Sequence, residues 1–148
     1  MTTTPQHKPY MPAALGQIAP DPDTKDFWDF CNKGELRIQK CSQCGKFRYP
    51  PQPGCVKCGS RKYDWVKSSG KGKVFTFSVP YHPVLPNLAE YVPYNVVVVE
   101  LPDVGNIRII SNLLDVPLDK IRIGMPVELV WERVGESVNL PRFKAAKG

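Results

Sequence analysis

The stretch CSQCGKFRYPPQPGCVKCG, residues 41–59, holds two Cys-x-x-Cys pairs, Cys41 with Cys44 and Cys55 with Cys58. A loop with this spacing offers two thiolates to one tetrahedral zinc ion, and two such loops fill all four positions around the metal. The pattern therefore predicts one structural zinc that folds a segment too small to fold on its own core. An iron site of the rubredoxin type uses the same ligands, and four free thiols are the remaining alternative.

Short strand-like segments surround the cysteine pairs and continue to the end of the chain. Three of them, at 36–40, 47–49 and 62–66, predict a zinc ribbon, and the SSGKG segment at 68–72 predicts a flexible joint. Five more follow, at 73–80, 94–101, 106–114, 126–134 and 137–143, with a helical turn predicted at 116–121. Five short strands with a small helical insert after the third are typical of an oligonucleotide/oligosaccharide-binding (OB) barrel.

The N-terminal part predicts an extended arm over residues 1–22 and a helix over 24–33. Asp23 or Thr24 is suited to cap the helix, and Gly34 to end it. The bulky residues cluster on one side of the helix, and a helix this short is stable only when such a face is covered. Because an exposed apolar face marks a protein interface, we predict that a partner covers these residues: Phe27, Trp28 and Phe30.

The fold predicted from these segments is mainly β, with a short N-terminal helix, a rubredoxin-like zinc ribbon and a five-stranded OB-fold barrel. The predicted boundaries are 1–35 for the arm and helix, 36–68 for the ribbon and 69–148 for the barrel. Pro is unusually frequent, at 16 of 148 residues, which favours short strands and loops over long helices.

The composition indicates in which cellular compartment the protein is expected and which classes of protein are excluded. Five cysteines are an odd number, which argues against a disulfide framework and for metal or thiol chemistry. The longest apolar run, at 96–99, is far shorter than the roughly 20 residues of a membrane-spanning helix. The N-terminus lacks the apolar core of a secretory signal, so we expect a cytoplasmic protein that does not bind membranes.

The net charge of +6 is concentrated in the ribbon, since residues 31–74 carry eleven Lys and Arg against two acidic residues. That segment is +9, and the rest of the chain is therefore −3. A segment with this charge can bind the phosphates of nucleic acid or of a nucleotide-like cofactor such as coenzyme A. The alternative is that its charged side chains only face solvent. The strands at 94–101 and 106–114 offer few aromatic rings for stacking bases, so we predict no nucleic-acid partner. The cations expected to contact CoA phosphates are Arg48, Arg61 and Lys62.

Candidate catalytic residues are few. Cys31 lies on the aromatic side of the predicted helix, where a buried packing role is expected rather than a nucleophilic one. His82 follows the first barrel strand in a Pro-rich loop, and nothing in the sequence pairs it with a nucleophile. We therefore predict no catalytic residues in this chain.

The order of motifs resembles a known family, the OB-fold, acyl-CoA-associated zinc-ribbon proteins that partner thiolase-like enzymes. The resemblance covers roughly residues 24–144 and rests on GELRIQKCSQCG, the PP before the second cysteine pair, SGKGKVFTF, VPYNVVVVEL, IGMPVELVW and LPRF. Val56 departs from the family pattern, in which Pro often follows the third ligand, but the departure does not affect zinc ligation.

The resemblance implies a non-catalytic subunit that helps to form or close the acyl-CoA site of a thiolase-fold partner, in a complex of two copies of each chain. It first suggests C–C cleavage of 2-benzoylsuccinyl-CoA in anaerobic toluene breakdown. Small subunits of retro-aldolases and of acetyltransferase complexes are similar and remain alternatives, as does a nucleic-acid-binding module. In each of the acyl-CoA cases the CoA ester is the ligand shared with the partner.

Overall fold

The computed structural model describes residues 10–12, 18–135 and 138–147. Within these residues the chain forms one α-helix and eight β-strands: α1 (Lys25–Asn32), β1 (Arg37–Cys41), β2 (Phe47–Arg48), β3 (Tyr63–Lys67), β4 (Lys71–Ser78), β5 (Val96–Leu101), β6 (Ile107–Ser111), β7 (Pro126–Val134) and β8 (Val138–Ala145). A short 3₁₀ turn at Leu118–Lys120 lies inside the predicted helical insert. The predicted elements are therefore present, with ends that shift by a few residues.

Helix α1 begins after Thr24, as predicted, but the Thr24 side chain does not cap it. Asp21 instead fixes the turn that precedes the helix. Its Oδ1 accepts hydrogen bonds from the Thr24 hydroxyl at 2.9 Å and from the Thr24 N–H at 2.8 Å. These hydrogen bonds hold the pKa of the Asp21 carboxyl below its ordinary value. At the other end Gly34 adopts φ +76°, the left-handed conformation that terminates helices.

The ribbon is a three-stranded antiparallel sheet in the order β2-β1-β3. Its centre is β1, where Gln39 lies opposite Arg48 on one side and Trp65 on the other. Leu36 and Ile38 are buried in the common core, so the ribbon packs against the rest of the chain through its first strand.

The barrel is a five-stranded antiparallel sheet in the order β6-β5-β4-β7-β8, which curls until its two ends meet. Leu113, just after β6, forms a parallel bridge with Phe143 of β8, and the Leu114 N–H donates to the Phe143 carbonyl at 2.8 Å. Side chains that alternate inward along β5, such as Val97 and Val99, fill the interior. This topology confirms the predicted OB-type barrel.

The segment between ribbon and barrel is held at several points, so the prediction of a flexible joint is wrong. Ser68 is buried, and its N–H donates to the Leu36 carbonyl at 2.8 Å. The Ser68 hydroxyl and the Ser69 N–H both donate to the Asp103 carboxylate, at 3.0 and 2.7 Å. Gly70 has φ +77°, and an added Cβ there would lie 2.5 Å from that of Leu129. Polar and small residues therefore build a close contact here.

The described part of the arm packs against the chain's own barrel. Tyr10 donates its N–H to Glu132 of β7 at 3.3 Å, and its hydroxyl accepts from the Asn95 N–H at 2.7 Å. Burial raises the pKa of the Tyr10 hydroxyl. Asn95 is itself buried and exchanges two hydrogen bonds with Leu113, which adds to barrel closure. The rest of the arm up to residue 17 lies outside the described residues.

In the described ranges, no helix has both the length and the apolar character needed to cross a membrane.

Candidate metal centre

The two cysteine loops of the ribbon have the same local geometry. In the first, the Gly45 N–H donates to the Cys41 carbonyl at 2.9 Å, and in the second the Gly59 N–H donates to the Cys55 carbonyl at 2.8 Å. Both glycines have φ +75°, a conformation that costs residues with a Cβ free energy. The repeated sequence Cys-x-x-Cys-Gly therefore forms the same turn twice, and each turn presents two sulfur atoms to one point.

The four sulfur atoms form one cluster. The Sγ atoms of Cys41 and Cys58 lie 3.6 Å apart, those of Cys44 and Cys55 lie 3.5 Å apart, and all four fall within 4.8 Å of one another. Tetrahedral zinc with Zn–S bonds of about 2.3 Å requires sulfur atoms separated by about 3.8 Å. The four cysteines therefore fit a zinc ion with no position left for substrate, as predicted.

Backbone amides in each loop stabilise the charged form of the sulfur atoms. The N–H groups of Cys58 and Lys57 lower the pKa of the Cys55 thiol to about 6. The Cys44 N–H lies 3.5 Å from the Cys41 sulfur, and it contributes most to lowering the pKa of the Cys41 thiol. Zinc binds thiolates, so these donors prepare both loops for the metal.

The fifth cysteine has the opposite environment. Cys31 of α1 is fully buried in the core, and desolvation raises the pKa of its thiol to about 12. A thiol that stays protonated is a poor nucleophile, which agrees with the predicted packing role. His82 is exposed in the loop between β4 and β5.

The predicted CoA-contacting cations differ in exposure. Arg61 and Lys62 are exposed just after the second loop, whereas Arg48 is 6% exposed. The Arg48 guanidinium donates to Gln39 Oε1 at 2.8 Å and lies 4.7 Å from the Tyr63 ring centroid. Its Nη1 and Nη2 atoms are buried and contact no acceptor among the described residues. The contact of these cations with CoA stays a prediction.

The predicted interface residues of α1 also differ in exposure. Phe27 is 3% exposed and packs in the chain's own core against Tyr49, with ring centroids 5.7 Å apart. Trp28 and Phe30 are half-buried and keep part of their surface in solvent. Packing of α1 on β8 and β1 explains the difference, since it covers the side of the helix that carries Phe27 and Cys31. A partner role for the three aromatic residues stays a prediction.

A row of aromatic rings was not predicted. Phe30, Trp65 and Tyr63 are in sequential contact, with centroid separations of 5.4 and 5.9 Å, and Arg37 lies 5.0 Å from the Phe30 centroid. The alternation of Tyr63 and Trp65 along β3 signals that both face the same side of the ribbon. What the sequence lacks is any signal that this side meets α1.

Two family models match adjacent parts of the chain. The rubredoxin-like zinc ribbon domain of ChsH2 matches residues 28–64, and the C-terminal OB-fold domain of ChsH2 matches residues 65–132. A DUF35 domain-containing scaffold protein of Pyrococcus furiosus is 36% identical over 112 residues, which cover 74% of this chain and 79% of that protein. The chain belongs to the DUF35 family. The family identity assigns the four-cysteine site to a zinc ribbon.

Other relatives of the chain have names that refer to enzymes. A probable enoyl-CoA hydratase alpha subunit of Thermomonospora curvata is 40% identical over 121 residues, which cover 81% of this chain but only 37% of that subunit. The benzoylsuccinyl-CoA thiolase subunit BbsA of Thauera aromatica is 27% identical over 82 residues, covering 55% of this chain and 54% of BbsA.

A solved structure has the same fold. A chain of the Ltp2-ChsH2(DUF35) aldolase superposes with a TM-score of 0.79 at 36% identity, covering 87% of this chain and 98% of that one. This DUF35 chain thus spans about a third of the hydratase alpha subunit and nearly all of the aldolase chain.

Proposed function

We propose that this DUF35 protein is a non-catalytic, cytoplasmic subunit of an acyl-CoA enzyme complex. The observation that carries the proposal is the extent of the match to the Ltp2-ChsH2(DUF35) aldolase chain, which includes both the ribbon and the barrel. The names of the T. curvata and T. aromatica relatives, each a subunit of a CoA enzyme, support the same class.

The partner that we propose is a thiolase-fold subunit, in a complex of two copies of each chain. Benzoylsuccinyl-CoA is the first candidate substrate, supported by the likeness to BbsA. A retro-aldolase is the second candidate, supported by the higher identity to the aldolase chain, and an acetyltransferase complex is the third. Assays with the corresponding acyl-CoA esters distinguish the three.

The chain's own groups suit an accessory role. A catalytic thiol needs to ionise near neutral pH, and the pKa of about 12 at Cys31 prevents this. The four ribbon cysteines face one another and would be occupied by zinc. In this proposal the nucleophile and the bases of the reaction belong to the partner.

Contact with the CoA phosphates is proposed for the exposed end of the ribbon. Arg61 and Lys62 extend into solvent, and neither forms an ion pair with another described residue. Unpaired cations of this kind attract phosphate at little cost, because no internal ion pair has to break. Arg48 is only 6% exposed, and its guanidinium lies 4.7 Å from the ring centroid of Tyr63, the residue that follows Lys62 and begins β3.

A nucleic-acid-binding role has weaker support. Phe75 of β4 is 40% exposed on the outer face of the barrel, but the Arg108 guanidinium already covers its ring at 3.6 Å from the centroid. Arg108 in turn donates to Glu100 at 3.1 Å. A ring whose face is occupied and whose neighbouring cation is paired offers a nucleobase little stacking surface.

The proposal is tested by co-purification. The tagged chain is co-expressed with a thiolase-like or aldolase-like protein encoded beside it, and the eluate is analysed by size exclusion. A stable complex that turns over an acyl-CoA ester supports the proposal. Turnover by the isolated DUF35 chain that is lost in Cys31→Ala or His82→Ala would instead make it an enzyme in its own right.

A further inference from the structure

A buried cation of the ribbon has no acidic partner among the described residues. Arg48 is 6% exposed, and its Nη1 and Nη2 atoms are buried and reach no hydrogen-bond acceptor there. Its Nε donates to the Gln39 side chain at 2.8 Å and to the Gln52 carbonyl at 3.0 Å. Both acceptors are neutral and leave the charge of the guanidinium uncompensated. Because a buried charge without a counter-charge is costly, the fold implies a negative charge near Arg48.

Arg48 shares one face of the ribbon sheet with a cysteine of the metal site. It lies opposite Gln39, and Cys41 follows Gln39 by two positions, so all three side chains project from the same face. Positions with this diagonal relationship have Cβ atoms about 7–8 Å apart. The Arg48 guanidinium lies 4.7 Å from the ring centroid of Tyr63, which is the residue opposite Cys41. The cation is therefore placed on the side of the sheet that carries the four-cysteine cluster.

The two carboxylates of residues 31–74 do not supply the negative charge. Glu35 is paired with Arg37 at 2.6 Å. Asp64 follows Tyr63 in β3 and therefore projects from the other face of the sheet. The thiolates of the metal site are the remaining source of negative charge in the ribbon, because four thiolates around one Zn²⁺ ion carry two net negative charges.

We propose that Arg48 is the counter-cation of the zinc–thiolate cluster, and that its charge raises the affinity of the ribbon for zinc. The two charges attract each other strongly because Arg48 is withdrawn from water and the local dielectric constant is low. Salt screens a buried cation less than an exposed one. The cluster and the guanidinium thus stabilise each other in the folded ribbon.

Hydrogen bonds hold the guanidinium in this position. Gln39 Oε1 accepts from Arg48 Nε and also from the Gln52 N–H, at 2.8 and 2.9 Å. Gln52 belongs to the segment that joins the two cysteine loops, and Cys55 follows it by three residues. Arg48 is therefore a positioning residue as well as a charge, and the test has to separate the two roles.

The test measures the zinc affinity of the full chain by competition with a chromogenic chelator. Arg48→Gln is expected to weaken zinc binding by about 10–100-fold, the loss typical of a residue that supports metal ligands from outside. Lys46→Gln is the matched control, since it removes one positive charge from an exposed position beside the first cysteine loop. Water screens that charge, so its loss is expected to change the affinity little. Equal losses in the two variants would overturn the proposal.

A change in the charge of the cluster separates the electrostatic role from a structural one. Cys58 is the exposed member of the four cysteines, and Cys58→His keeps four zinc ligands while removing one negative charge. In this background Arg48→Gln is expected to cost less zinc affinity than in the wild-type chain. The same loss in both backgrounds would show that Arg48 only supports the fold, and would overturn the proposal.

Arg48→Lys decides the case in which Arg48→Gln does not fold, because it keeps the positive charge and loses the planar guanidinium. Zinc affinity close to that of the wild-type chain supports the proposal. A loss of about tenfold or more, the size expected when an outer partner of a metal site is removed, would assign the effect to the hydrogen bonds and contradict it.

Discussion

The Ser68 hydroxyl donates a hydrogen bond to the Asp103 carboxylate across 3.0 Å, and this contact fastens the end of the ribbon to the barrel. The same carboxylate accepts from the Ser69 N–H at 2.7 Å. Asp103 lies 35 positions after Ser68 in the sequence, and the strands between them, β4 and β5, pair with each other. Ribbon and barrel are therefore joined by an ordered polar contact.

Asp103→Ala is expected to lower the free energy of unfolding by about 1–2 kcal/mol, because the Ser68 hydroxyl and the Ser69 N–H lose their acceptor. Urea denaturation measures the loss. Asp119→Ala is the control, since Asp119 is 77% exposed and its contact with Lys120 is long, at 3.9 Å. An equal effect of both variants would show that the Asp103 contact contributes nothing specific.

Zinc binding is expected at one ion per chain, measured by elemental analysis of protein purified without chelator. The four sulfur atoms lie within 4.8 Å of one another, and without the metal nothing joins the two cysteine loops, so the ribbon opens. Cys44→Ser is therefore expected to abolish stoichiometric zinc and expose Trp65, seen as a change in tryptophan fluorescence. Metal-free protein with a native spectrum would contradict this.

The buried Cys31 thiol is expected to lower the free energy of unfolding at alkaline pH. Burial raises the pKa of its thiol to about 12 in the folded chain, from an ordinary value of 9.0. Between these values the unfolded chain has lost the proton that the folded chain keeps, so the free energy of unfolding decreases as pH rises. Below pH 9 both states are protonated and the effect vanishes.

Urea midpoints at pH 7.5 and 10.5, for wild type and Cys31→Ala, isolate this contribution. The variant loses packing equally at both pH values, but its midpoint is expected to fall less on going to pH 10.5. Parallel decreases in the two proteins would show that Cys31 does not cause the alkaline loss.

Trp28→Ala is expected to weaken assembly with the catalytic partner, because Trp28 keeps part of its ring in solvent and a large aromatic residue is a typical interface anchor. Size exclusion of the co-expressed pair measures the change. Phe27→Ala is the matched control, since Phe27 is buried in the chain's own core and its loss is expected to lower thermal stability instead. Unchanged assembly of a folded Trp28→Ala protein would remove Trp28 from the interface.

Arg61→Glu is expected to raise the KM for the CoA ester severalfold in the reconstituted complex, with little change in kcat, if the ribbon cations contact CoA phosphates. Lys120→Glu changes the charge equally at a position that is 70% exposed on the barrel and serves as the control. A KM shift of equal size in both variants would indicate only an effect of net charge.

The parts of this structure that the sequence predicts are those coded by local spacing. Cys41 and Cys44 are three residues apart, and one turn brings their sulfur atoms together wherever the loop lies. The alternation of Val97 and Val99 with outward residues likewise defines a barrel strand from within the strand itself.

The parts that were missed depend on contacts between distant segments. SSGKG has the composition of a flexible linker, and only the position of Asp103 converts it into a fixed turn. Arg48 looks like a surface cation in the sequence, but Gln39 and Tyr63, on the other two strands of the ribbon, provide it with a buried site. Phe27 and Trp28 are adjacent in an aromatic run, and which of them turns inward depends on the direction from which α1 packs on β8.

The most direct test of the accessory-subunit proposal is the acyl-CoA turnover of the neighbouring thiolase-like or aldolase-like protein, measured with and without this chain after size exclusion of the mixture. The proposal predicts that the two proteins elute together and that the partner alone is much less active. Separate elution, together with full activity of the partner alone, would contradict it.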